Sequence, residues 1–272
     1  MKKVYAFFLM LIICIPAQGW TDMLGNPGTQ VGEKNLFVGI EYSSALKVYD
    51  IDTRDIETTS ERATLKITTG LSDWFDFFVK VGGVNLTMNY KEAEYVYKTS
   101  GGTENWGNAT KNFESDYTAG FGAGTRIRLL NFVNSDTRVY FQGGGFFLKA
   151  KDNIQWEISR GSINKERDIK LFDLYAGLGI AKKMDYIDLT FGVGLSEVWW
   201  ELDDVNSEST GSSTIRTHIP KRDSFESKNP FFGFIGLDFI LPNEYRISLQ
   251  AGMRNIDEGE FSVAISQGLP KD

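Results

Sequence analysis

Beyond its first fifteen residues, the chain has no apolar run near the ~20 residues that a membrane-spanning helix requires. A helical bundle in lipid is therefore excluded. Its single cysteine, Cys14, cannot form an intrachain disulfide. One cysteine and one histidine, His218, leave no thiol and imidazole set for a metal centre, so no metal and no cofactor are expected. Proline is scarce, at 6 residues, so strands of ordinary length go uninterrupted. The net charge of −7 argues against nucleic acid as a partner.

Glycine (28 residues), aromatic residues (14%) and two-residue alternation are present instead. Asp116 to Leu129 shows the pattern most clearly, with apolar residues alternating with glycine or polar ones. A period of two gives a strand with two unlike faces. Ten such strands are expected, over 36–48, 60–71, 74–86, 116–130, 136–149, 170–183, 186–200, 229–241, 244–254 and 260–268. Ser72-Asp73, Met184-Asp185 and Pro242-Asn243 read as tight turns, and Asn131 to Ser135 as a short one. The intervening 49–59, 87–115, 150–169 and 201–228 read as long loops, and Asn255 to Gly259 as a short loop at their end.

The N-terminus reads as a secretory leader over 1–19, with Lys2 and Lys3, an apolar run from Val4 to Ile15, and Ala17-Gln18-Gly19 as a cleavage site. Residues 20–272 then form one domain. Short turns at one end and long loops at the other are the asymmetry of bacterial outer-membrane barrels. A strand protein can span lipid only as a closed barrel, because unpaired backbone groups cannot face hydrocarbon. The expected fold is all-β, a single antiparallel up-and-down transmembrane β-barrel of ten strands. The expected location is the bacterial outer membrane.

One strand face carries no charge, for example Leu36, Val38 and Ile40, then Phe75, Phe77 and Val79, then Ile187, Leu189 and Phe191. A Lys or Arg at the lipid midplane costs about 2–4 kcal/mol, so this face is assigned to lipid. The other face holds Gly120, Gly122, Gly124, Gly144, Gly177, Gly179, Gly192, Gly194, Gly236 and Gly252. Glycine weakens a strand on an outer surface but makes room inside a narrow barrel, so this face is assigned to the lumen.

The lumen face is expected to hold the acids Glu41, Asp76, Asp116, Asp173, Asp188, Asp238, Glu244 and Glu260. Its expected bases are Arg62, Lys66, Lys80, Arg126, Arg128, Arg138, Lys170, Arg246 and Arg254. Selective pores use rings of one sign, so this near balance predicts a filled lumen. Asp76, Arg126, Arg128, Arg138, Asp188, Asp238, Glu244 and Arg246 lie toward the short turns and form the expected charge network of a polar plug. Trp74, Tyr186 and Tyr245, after the turns, and Trp199, Trp200 and Phe231, near the loops, are expected as interfacial aromatics.

The pattern resembles the superfamily of small bacterial outer-membrane β-barrels over nearly the whole mature chain. That resemblance implies lipid and the barrel-assembly machinery as partners. Such barrels usually end on an aromatic residue, whereas the last aromatic here is Phe261. Ten-stranded barrels include the omptin proteases, whose loop histidine follows an aspartate by two residues. Here Arg216 holds that position, Asp203 and Asp204 share the histidine's own loop, and 87–115 lacks an Asp-x-Asp, so the dyad is missing. The chain is therefore expected not to be an enzyme. Its expected role is structural or surface recognition, with an extracellular ligand reached through 87–115 and 201–228. The 87–115 loop carries Tyr90, Tyr95, Tyr97, Trp106 and Phe113. A narrow channel for small or hydrophobic solutes is the first alternative, and an omptin-like outer-membrane protease the second.

Overall fold

The computed structural model describes residues 35–51, 54–89, 96–99, 102–105, 113–158, 161–210, 213–218, 223–227, 230–255 and 258–269. The expected leader lies outside them. Ten strands form the wall: β1 Leu36–Ile51, β2 Arg54–Ser72, β3 Phe75–Met88, β4 Thr118–Phe132, β5 Thr137–Ile158, β6 Gly161–Met184, β7 Ile187–Thr210, β8 Phe231–Ile240, β9 Tyr245–Met253 and β10 Gly259–Leu269. Each pairs antiparallel with its sequence neighbours. β10 returns to β1, where Leu36 pairs with Leu269 and Leu46 with Gly259. The fold is a closed ten-stranded antiparallel β-barrel.

The register fixes the slant of the strands. Leu36 leads through Thr69, Phe77, Thr125, Gly143 and Ala176 to Leu195. Val193, two residues below, leads through Gly233, Met253 and Gly259 to Leu46. One circuit that leaves β1 at 36 thus returns to it at 48, a shear of 12 residues. For ten strands that corresponds to a tilt of roughly 40°.

The turn end is tight. Asp73 and Trp74 join β2 to β3. Two 3-10 turns, Val133–Ser135 and Pro242–Glu244, join β4 to β5 and β8 to β9. Asp136, Asp185 and Asn243 take left-handed backbone conformations there, with φ of 49°, 32° and 60°. Asp and Asn tolerate that region better than other non-glycine residues.

At the other end the structure corrects the expected loops. β1 and β2 continue through 49–59 and pair up to Ile51 with Arg54. β5 and β6 continue through 150–169 to the pair Ile158 and Gly161. β7 runs to Thr210 and pairs with a further strand, Ser213–His218. A short strand, Asp223–Ser227, pairs with both β1 and β7 and bridges the wall above the shorter β8, β9 and β10. Within 87–115, the pairs Val96–Thr99 and Gly102–Asn105 form a separate hairpin.

Hydropathy missed these extensions because the contrast between faces changes along the strands. In the turn-side part, the outer face is apolar and open, as at Ile40 (68% exposed), Phe121 (60%) and Val193 (66%). Higher on β5 to β7 the outer positions become Lys149, Lys151, Asp168, Lys170 and Glu201. The inner positions there become apolar, as at Phe146, Leu148, Ala150, Ile169, Leu171 and Val198, all buried. Backbone pairing continues across this switch although the sidedness inverts.

Inward glycines are seats for aromatic rings from neighbouring strands. A Cβ on Gly120 would stand 2.6 Å from the Phe146 ring, and one on Gly122 2.7 Å from it. Gly194 sits equally tightly under Phe232. Interiors are packed to crystal-like density, so such seats cannot take an added side chain. Gly120→Val is expected to destabilise the barrel by about 1–3 kcal/mol, the range for overpacking. Urea unfolding in phospholipid vesicles, followed by tryptophan fluorescence, measures this.

Candidate functional site

The strand parity that turns apolar side chains outward carries the charges inward. Near the turn end, Asp76 of β3 faces Arg126 of β4, their paired strand neighbour, at 4.0 Å. Asp188 of β7 and Asp238 of β8 are also paired neighbours, and both are buried. Arg246 of β9 lies over the Phe37 ring, its guanidinium carbon 3.9 Å from the centroid, a cation–π contact. Arg128 and Arg138 are half-buried at the same end.

Glu244 lies in the Pro242–Glu244 turn with φ of 61° and is exposed, because β9 begins only at Tyr245. Its carboxylate rests over the inward Gly268 of β10, beside the Phe37 ring that carries Arg246. Asp116 is exposed because β4 begins at Thr118. Lys170 shares parity with the outward Phe172 and pairs with Glu201 at 3.0 Å on the outer face.

Further up, Glu41 binds Lys80 and stands 3.6 Å from Lys66. Above it, Asp173 accepts hydrogen bonds from Lys47 at 2.9 Å and from the Ser196 hydroxyl at 3.0 Å. Arg62 stacks on Phe146 at 4.1 Å, and Arg254 reaches the Ser196 carbonyl at 3.4 Å. Glu258 and Glu260 are buried beside this group. The charges thus extend well above the turn-side half. Lys47 was absent from the expected set, although its parity with Glu41, Ser43 and Ala45 already placed it inside. Glu258 was read as part of a loop, where parity gives no signal.

An apolar cluster lies above the column on the loop side. It gathers Tyr49, Leu86, Met88, Phe113, Leu148, Ile169, Leu171, Val198 and Trp200, among others. Trp200 is a correction. It is 2% exposed and meets Tyr49 edge-on at 4.5 Å, so it is not an interfacial ring. Successive strand residues point to opposite faces, and Trp199 takes the outer one. Trp199 stacks on Phe172 at 5.9 Å. Trp74, Tyr186, Tyr245 and Phe231 are exposed at the strand ends. Phe113, expected in a loop, also belongs to this cluster. Beside it the buried Arg167 pairs with Asp152 and lies 5.2 Å from the Phe113 ring.

Small cavities lie between the layers, among them two bordered by described residues of the column. One, of about 20 Å³, is bordered by Glu41, Arg62, Lys80, Asp173 and Tyr175. The other, of about 40 Å³, lies near Phe37, Lys66, Arg126 and Arg246. Among the described residues, no group of three His, Cys, Asp or Glu side chains is placed to hold a metal ion. The backbone of His218 pairs with Val205, and its side chain lies outside the described residues.

No protein-family model matches the chain, and no curated protein matches it. Solved structures do. The translocator domain of the autotransporter NalP from Neisseria meningitidis aligns at 12% identity and a TM-score of 0.48, over 99% of this chain and 98% of that one. The outer membrane protease OmpT from Escherichia coli aligns at 9% identity and 0.37, over 91% and 97%. The toluene transporter TbuX of Ralstonia pickettii aligns at 10% identity and 0.36, over 90% and 91%.

The buried and exposed ion pairs have opposite consequences for stability. Removing one partner of a buried pair leaves an uncompensated charge, at a cost of about 3–5 kcal/mol. Exposed pairs contribute under about 1 kcal/mol. Asp173→Ala is expected to fall in the first range and Lys149→Ala, which breaks the outer pair with Asp168, in the second. Parallel urea unfolding of the two variants checks the contrast.

Proposed function

We propose that this chain is a bacterial outer-membrane barrel with a closed lumen, non-enzymatic, that holds a structural or recognition surface above the membrane. The observation that carries the reading is the filled interior. Charge layers occupy the turn side and middle, and the apolar cluster occupies the loop side. Cavities of about 20 and 40 Å³ are the size of one to a few waters.

The placement in lipid rests on the exposed apolar belt. Ile40, Val81, Phe121, Leu178, Phe191, Val193 and Ile265 are all more than half exposed. An apolar surface of that extent on a barrel wall is what hydrocarbon accommodates and water does not. The polarity switch on β5 to β7 marks the upper edge of the belt. Above it the strands have a charged outside and an apolar inside, the order of a water-exposed β-protein. The surface on offer to a partner is this extension together with the segments within 87–115 and 201–228.

The non-enzymatic reading rests on the absence of an acidic partner two residues before His218, where Arg216 stands. A histidine base needs an orienting group within hydrogen-bond reach.

Planar-bilayer recording of the purified barrel tests the closed lumen. The expected result is no stable conductance step; steps of general-porin size would refute the reading. The placement in lipid has its own test. Ile40→Arg is expected to cost about 2–4 kcal/mol in vesicles, as for a cation near the bilayer midplane. A neutral effect there would remove Ile40 from the lipid face.

A further inference from the structure

We propose that the outer face of β5, just above the apolar belt, is a docking site for the phosphate of a lipid headgroup. The inference rests on the placement in lipid proposed above. Four neighbouring strands each set one ring outward at the upper edge of the belt. Phe121 of β4 pairs with Phe147 of β5, Phe147 with Phe172 of β6, and Phe172 with Trp199 of β7. The rings meet in pairs, Phe121 with Phe147 at 5.3 Å and Phe172 with Trp199 at 5.9 Å. Aromatic girdles flank the hydrocarbon band of outer-membrane barrels, at the depth of the headgroups.

Charge begins at the next outward position. Lys149 follows Phe147, Lys170 precedes Phe172 and Glu201 follows Trp199, each one outward step farther from the belt. Lys149 and Lys170 are direct partners across their strand pair. Like charges so placed are unfavourable, and an anion beside them offsets the repulsion. Two carboxylates already do part of this. Asp168 takes Lys149 at 3.0 Å and Lys151 at 3.5 Å, and Glu201 takes Lys170 at 3.0 Å. Three cations against these two acids leave one positive charge, on the side of β5. Lys149 and Lys151 remain well exposed, and pairs at such exposure exchange partners at little cost.

The direction of approach follows from where the acids lie. Asp168 and Glu201, with the further exposed acids Glu166 and Glu197, all belong to β6 and β7. On the other side of β5 the outward β4 neighbours are Phe121 and, one step beyond the pair Gly120 and Leu148, Ala119 beside Lys149. Neither carries charge, and Ala119 leaves room next to the lysine stem. The exposed Glu114 and Asp116 lie beyond the end of β4, farther from the belt. A headgroup phosphate reaches Lys149 and Lys151 from the β4 side while its acyl chains lie on Phe121 and Phe147. A free phosphate ion would have the lysines without that apolar anchor, so the lipid is the occupant.

The experiment uses the full barrel refolded in phosphatidylcholine vesicles with a graded share of phosphatidic acid, one or the other lipid carrying bromine on its chains. Bromine quenches tryptophan on contact, and Trp199 stands on the aromatic shelf. Quenching by brominated phosphatidylcholine reports contact with lipid as such. Preferential quenching by brominated phosphatidic acid reports the site. The expected result is quenching by both lipids, with phosphatidic acid favoured. Lys149→Gln and Lys151→Gln are each expected to lower that preference roughly fivefold. Asp168→Asn, which releases both lysines, is expected to raise it. These side chains lie on the outer face, so the variants keep the fold. Free sodium phosphate is expected not to displace the lipid. Absence of quenching by either lipid removes the barrel from lipid and the site with it. Quenching without preference, a preference that the three substitutions leave unaltered, or displacement by free phosphate overturns the site alone.

Discussion

The seam at which β10 meets β1 is the constraint on which the rest of the molecule depends. Leu36 against Leu269 and Leu46 against Gly259 fix the register of the last pairing, and with it the shear of 12 residues. A slip of one residue would turn every side chain of a strand to the other face. In this barrel such a slip of β1 would put Glu41 and Lys47 into the apolar belt and Ile40 into the charge column. Closure also leaves no wall strand with an unpaired edge in the belt, which a hydrocarbon surrounding demands.

That register explains why the lumen is packed by a mixture of charge and aromatic ring. Ten strands at this tilt enclose a narrow interior that side chains can span. Glycine on one strand makes room for a ring on the next, as Gly120 and Gly122 do for Phe146. The rings in turn carry the cations. Phe146 lies under Arg62, Phe78 under Lys66 and Phe37 under Arg246. Glycine seat, ring and cation form one packing unit, repeated at several heights. The acids Glu41, Asp76 and Asp173 then compensate the cations from other strands.

The ten strands and their two faces were legible in the sequence because the belt creates the contrast that two-residue alternation reports. Parity alone placed Glu41, Asp173, Asp188, Asp238 and Arg126 inside. Where a residue was misplaced, the cause was local. Asp116 lies just outside its strand, where parity has no meaning. Trp200 was grouped with Trp199 by residue type, against the rule that neighbours on a strand face opposite ways. The extensions of β5, β6 and β7 were unreadable for a deeper reason. Beyond the belt the apolar side moves inward and charge moves outward, so a continuous strand looks like the end of one pattern followed by a polar loop. Pairing partners, the information that joins Ile158 to Gly161, are not written in hydropathy.

The inverted stretch also divides the interior into layers of different kind. Above the belt, Tyr49, Leu171, Val198 and Trp200 belong to one buried apolar cluster fed by β1, β3, β5, β6 and β7, and Asp223–Ser227 ties β1 to β7 over the low part of the wall. Below it, Lys47 and Asp173 form a compact, mutually satisfied pair. A solute from the loop side would have to break both layers, at the cost of an exposed apolar core and an unpaired buried charge. At the turn side Arg246 stacks on Phe37 next to the Glu244 carboxylate, and the buried acids Asp76, Asp188 and Asp238 belong to the same layer. The packing therefore fills the barrel in layers of different kind, apolar toward the loop side and ionic toward the turns.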